Sequence, residues 1–136
     1  MAEETGLLSD LRRAASSIKR MEDISSEMEI PHEAAEYFLK GLSILELIVE
    51  KTDDTSNRWD LGVGYIKAGD RERNNSKLYR AKIFYLKAAD LFERLAVSSE
   101  NPAFRRTLAI CLGRLGGLAK VNGDKQQAEE HYRKAL

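Results

Sequence analysis

Apolar residues recur along this chain every three or four positions, in stretches separated by short polar breaks. Between 77 and 97 the stripe passes through Ile83, Phe84, Leu86, Ala88, Leu91 and Leu95. That spacing marks one face of an α-helix, whereas a strand would alternate. The breaks at TDDTSN (52–57), SSEN (98–101) and Asn122-Gly123-Asp124 supply capping side chains and residues that tolerate left-handed backbone. Pro31 and Pro102 fall at first-turn positions, where a missing N–H costs nothing. The pattern predicts helices over about 9–27, 31–51, 57–74, 77–97, 102–121 and 125–136.

The pattern also repeats. AEEHYRKAL (128–136) aligns with AKIFYLKAA (81–89) 47 positions earlier, and again with AAEYFLKGL (34–42). The copies share an alanine (Ala34, Ala81, Ala128), an aromatic (Phe38, Tyr85, Tyr132), a lysine (Lys40, Lys87, Lys134) and a small residue (Gly41, Ala88, Ala135). Upstream, Leu61-Gly62-Val63-Gly64-Tyr65 matches Leu108-Ala109-Ile110-Cys111-Leu112, and Ala68-Gly69 matches Leu115-Gly116. The first copy is degenerate, with Ala14, Ile18, Met21 and Glu22 at these places, as expected of an end repeat. Each repeat is a pair of helices, over about 9–51, 57–97 and 102–136. The third stops before its second helix reaches the length of the earlier ones, so the chain reads as one domain (1–136) cut from a longer array. The expected fold class is all-α, a right-handed solenoid of three antiparallel helical hairpins. A glycine inside a helix costs roughly 1 kcal/mol relative to alanine, so Gly69 and Gly116 at one repeat position imply that close helix approach offsets the cost.

Gly69 and Gly116, followed twelve positions on by Ala81 and Ala128, then by Tyr85 and Tyr132 and by Ala88 and Ala135, give a known register. The chain resembles the tetratricopeptide repeat (TPR) family over nearly its whole length. It is most similar to bacterial arrays with lengthened repeats. It departs from the pattern in its 47-residue period, in Tyr65 and Leu112 at the tryptophan place, in Glu72 and Ala119 at a later aromatic place, and in lacking the closing proline. The resemblance implies that the first helix of each pair lines a concave groove. Carried over position by position, the groove residues are Lys19, Arg20 and Asp23, then Lys67, Asp70, Arg73 and Asn74, then Arg114 and Lys120. Their balance is basic, which suits an acidic peptide. The clamp by which some TPR domains hold a chaperone tail uses two lysines, two asparagines and an arginine. Lys19 and Arg114 match it, but Asp23, Lys67 and Ile110 stand at the other three places, and Asp23 would repel a carboxylate.

Composition narrows the picture further. Hydrophobic residues at 43% and charged residues at 32% fit a helical protein with a core and do not fit a disordered chain. Formal net charge is zero, which argues against a protein built to grip nucleic acid. Residues 1–50 carry eleven Asp/Glu against five Lys/Arg, and residues 101–136 carry three against seven. That gradient would favour head-to-tail self-association. The acidic start MAEETG is unlike a secretory signal, and no apolar run reaches membrane-spanning length. A single cysteine, Cys111, fits a reducing compartment, so the expected location is cytoplasmic.

Catalytic chemistry finds little support. Gly62, Gly64 and Gly69 do not follow a strand and read as helix-crossing residues, not as a phosphate loop. His32 and His131 have no partner at metal-ligand spacing, and His131 takes the place of Tyr37 and Phe84 as a packing residue. Cys111 takes the place of Gly64 and reads as a small packing residue. Glu33, Glu36, Glu129 and Glu130 suit the positive ends of helices. Trp59, whose repeat equivalents are Arg12 and Arg106, either packs along the repeat edge or stands exposed as a partner anchor. The expected function is non-enzymatic and needs no cofactor: a protein–protein interaction scaffold that holds a peptide or helix in its groove. A sensor region of a longer signalling protein and a self-assembling module are the alternatives. No nucleic-acid or membrane partner is expected.

Overall fold

The computed structural model describes residues 2–27, 31–52, 54–121 and 125–135. They form six helices: α1 (Ala2–Glu27), α2 (Pro31–Lys51), α3 (Thr55–Asn74), α4 (Leu78–Ser98), α5 (Pro102–Val121) and α6 (Lys125–Ala135). No strand occurs among the described residues. The protein is all-α, and no described helix is long and apolar enough to cross a membrane. The turn expected at residues 122–124 lies outside the described residues, as do the side chains of His32, Ala128 and Glu129.

Helix boundaries follow the 47-residue period. Helices α1, α3 and α5 end at 27, 74 and 121, while α2, α4 and α6 begin at 31, 78 and 125. The caps follow it too. Asp54 Oδ1 accepts the N–H of Ser56 at 2.9 Å, and Asn101 Oδ1 accepts that of Ala103 at 3.0 Å. In each case a side chain just outside the helix satisfies a first-turn donor that has no intrahelical partner. The one large departure from expectation is α1, which starts at Ala2 instead of Ser9.

Contacts gather residues 1–61 and 62–136 into two compact units, with the division inside α3. In the first, α1 packs on α2. A Cβ on Gly41 would meet Ile18 Cγ2 at 3.5 Å, an ordinary contact. Ala34, Leu42, Ile48 and Leu61 are buried there, as are Glu22 and Asn57. Asn57 Nδ2 donates to Thr52 Oγ1 at 3.3 Å.

In the second unit α4 packs on α5 and α5 on α6. The core contains Tyr85 and Phe92, both fully enclosed, with Cys111, Leu115 and Leu118. The repeated glycines explain how the helices come so close. A Cβ on Gly69 would lie 2.5 Å from Tyr85 Cε1, and one on Gly116 would lie 2.9 Å from Tyr132 Cε1. Each ring therefore occupies space that only glycine leaves free. The buried face of α4 runs through Ala81, Tyr85, Ala88, Phe92 and Leu95. Ile83 and Leu86, which share the apolar spacing in the sequence, are 38% and 44% exposed. The glycines of α3 select the Tyr85/Phe92 face, and that orientation turns Ile83 and Leu86 outward.

The turn from α3 to α4 closes with Lys77 N–H donating to Glu72 O at 2.8 Å and Ser76 N–H donating to Arg73 O at 3.0 Å. This bond pair is a Schellman motif, which needs left-handed backbone at Ser76; its φ is 62°.

Candidate functional site

Of the charged residues singled out in α3 and α5, Arg73 and Arg114 meet at Asp70. Asp70 sits one residue after Gly69, so the helix crossing at Tyr85 brings it beside α4. The Tyr85 hydroxyl donates to Asp70 Oδ1. From α5, Arg114 Nε donates to Oδ1 at 2.8 Å and Nη2 to Oδ2 at 3.3 Å. This two-pronged grip matches the planar fork of a guanidinium to a carboxylate. Arg73, one turn along α3, approaches Oδ1 at 4.0 Å. One carboxylate thus faces two guanidiniums and a phenol.

The environment sets the protonation states. Burial pushes the Asp70 carboxyl up, but the hydrogen bonds from Arg114 and Tyr85 outweigh it and hold the group below its ordinary range. Burial first, and then the Asp70 carboxylate, push the Tyr85 hydroxyl well above its usual value. The bond to Asp70 raises Arg114 further. At neutral pH the cluster holds a carboxylate, two arginine cations and a neutral phenol, with a surplus of positive charge.

The other groove residues of the second unit stand apart from this cluster. Lys67 and Lys120 are exposed and have no ion-pair partner among the described residues, and Asn74 is exposed as well. Gly113, one residue before Arg114, has open space where a Cβ would project. In the first unit Lys19 approaches Glu22 at 3.6 Å and Asp23 at 3.5 Å on its own helix, so its charge is shared locally. Arg20 is exposed and borders a shallow groove along α1 with Arg13 and Ser17. The structure brings Asp70, Arg73 and Arg114 together; within the first unit it brings Lys19 and Asp23 together.

The Tyr85 contribution was not among the groove residues expected from sequence. Tyr85 had a packing role at the repeat aromatic, and only its neighbour across the helix crossing reveals the use of its hydroxyl. The remaining candidates are packing groups. Cys111 is fully buried, and burial pushes its thiol up to about 12, far from a reactive thiolate. His131 is half-buried, and burial lowers its basicity more than nearby Glu130 raises it; Lys134 and Lys82 act in the same direction as burial. Trp59 is half-buried and is engaged with its neighbours. Among the described residues, no group of three or more His, Cys, Asp or Glu side chains could hold a metal. Comparison of the chain with family models, curated proteins and solved structures finds no match.

Proposed function

We propose that the protein is an interaction scaffold of the tetratricopeptide type, a right-handed stack of helical hairpins whose α3 and α5 surface binds an acidic peptide. The recurring helix boundaries, caps and glycine–tyrosine crossings support the repeat reading. The charge balance around Asp70 supports the ligand class. A single carboxylate is shared by Arg73 and Arg114, while Lys67 and Lys120 add two exposed cations. An acidic peptide gains charge-assisted bonds from such a surface, and a basic one is repelled. Arg114 serves here to hold α5 to α3, so Lys67 and Lys120 are the cations left to meet a ligand.

Peptide arrays of graded charge, probed with the wild-type protein and a Lys67→Glu/Lys120→Glu variant, test the reading. The wild type should prefer acidic peptides, and the variant should lose about tenfold or more in affinity. Equal capture of acidic and basic peptides, or unchanged capture by the variant, would remove the assignment.

A further inference from the structure

The donors best suited to grip a carboxylate on this surface are already in use. Arg114 gives Nε to one oxygen of Asp70 and Nη2 to the other, and the Tyr85 hydroxyl donates to Oδ1 as well. Side chains from α4 and α5 thus form a socket for one carboxylate, and Asp70 of α3 fills it. Tyr85 at the back is fully buried, while the Asp70 side chain is 29% exposed, so the socket opens to solvent. Arg73 lies 4.0 Å from Oδ1. A ligand carboxylate brought to Arg73 would lie beside Asp70 and meet like charge. The first unit, considered by itself, repeats the device. Asp23 stands 47 positions before Asp70 and approaches Lys19 on its own helix at 3.5 Å. In each unit an acid at the same repeat place draws in a basic side chain. The exposed lysines Lys67 and Lys120 are cations of a different kind. An ammonium is a point charge on a flexible stem and fixes no carboxylate geometry, whereas a guanidinium fork does.

We propose that Asp70 is a built-in occupant of the Arg114–Tyr85 socket, so that the surface takes runs of acidic side chains by charge density and does not recognise a single carboxylate such as a chain end. The inference rests on the acidic-peptide reading and narrows its ligand class. Each acidic side chain of a ligand adds a screened contact to a lysine, so affinity builds with their number. A free C-terminal carboxylate adds no more than any other negative charge, because the donors that would hold both its oxygens already hold those of Asp70. Removing the Asp70 carboxylate opens the socket and creates the recognition that the native protein lacks.

The probes are N-terminally labelled peptides with two, four or six glutamates, each as the free acid and as the C-terminal amide, together with acetate as the smallest carboxylate. Peptide binding to the full chain is followed by fluorescence anisotropy, and acetate binding by thermal melts at constant ionic strength. The wild type should bind the six-glutamate peptide about tenfold or more tightly than the two-glutamate one, and should prefer a free acid to its amide by less than about twofold. Asp70→Ala should prefer the free acid by about fivefold or more, and acetate should raise its melting temperature but not that of the wild type. Adding Arg114→Gln should abolish both gains, whereas a general loss of negative charge would leave them in place. Asp70→Asn, which keeps the shape of the side chain, should gain the same free-acid preference to a smaller degree and serves as the second variant. A wild type that already prefers free acids by about fivefold, or Asp70 variants that gain neither the preference nor the acetate response, would overturn the proposal. Failure of the wild type to capture any acidic peptide would instead remove the scaffold reading and this ligand class with it, and the acetate melts would decide separately whether Asp70 fills a carboxylate socket.

Discussion

Arg114 on α5 holds both carboxylate oxygens of Asp70 on α3, at 2.8 and 3.3 Å, across 44 residues of chain. The pair is about one-third exposed, with side-chain accessibilities of 34% and 29%. Water therefore screens it partly, and its contribution lies between that of a surface pair and that of a buried one. Asp70→Ala should destabilise the protein by about 1–2 kcal/mol in urea unfolding. A double-mutant cycle with Arg114→Ala should give a coupling of about 1 kcal/mol. Additive single effects would show that the contact carries no stability.

The same carboxylate makes stability depend on pH. Its pKa lies below the ordinary 3.8 in the folded protein. The unfolded chain therefore binds the proton first as pH falls, and acid favours unfolding. The contribution is fully present above the unfolded value and is lost as pH falls through the folded one. The melting-temperature gap between wild type and Asp70→Asn should narrow as pH is lowered from about 5 to about 2.5. A gap constant across that range would contradict the assigned shift.

Alanine substitutions should have opposite effects at two helical glycines, Gly69 and Gly113. At Gly69 a Cβ would strike the Tyr85 ring, which is fully buried and cannot retreat freely. Overpacking there should cost about 1–3 kcal/mol. At Gly113 the Cβ meets open space within α5. Gly113→Ala should stabilise by up to about 1 kcal/mol through helix propensity. Thermal melts of the two variants check both signs at once.

Ser76 occupies left-handed backbone at φ 62° between α3 and α4. A side chain is disfavoured there, and Gly123 stands 47 positions later in the sequence. Ser76→Gly should stabilise by about 0.5–1 kcal/mol, whereas a β-branched Ser76→Val should destabilise. Chemical denaturation of the two variants measures the difference.

Much of the secondary structure was legible because its signals are local. Pro102 and Asn101 place the start of α5, Asp54 precedes α3, and the ends of α1, α3 and α5 fall 47 positions apart. Which apolar face is buried was less legible. Ile83 and Tyr85 both fit a helical stripe, and only the space above Gly69 decides between them. The candidate surface was half readable. Repeat position put Asp70 and Arg114 on corresponding helices, but their mutual pairing depends on the distance between α3 and α5. The use of the Tyr85 hydroxyl was hidden for the same reason, since a core aromatic does not announce where its polar tip points.

Amide chemical shifts recorded while an acidic peptide is titrated into the protein, at low and high salt, test the central claim most directly. Shifts should concentrate around Lys67, Arg73 and Lys120, with affinity falling as salt rises. Shifts confined to other faces, or binding that ignores both peptide charge and salt, would contradict the acidic-peptide scaffold.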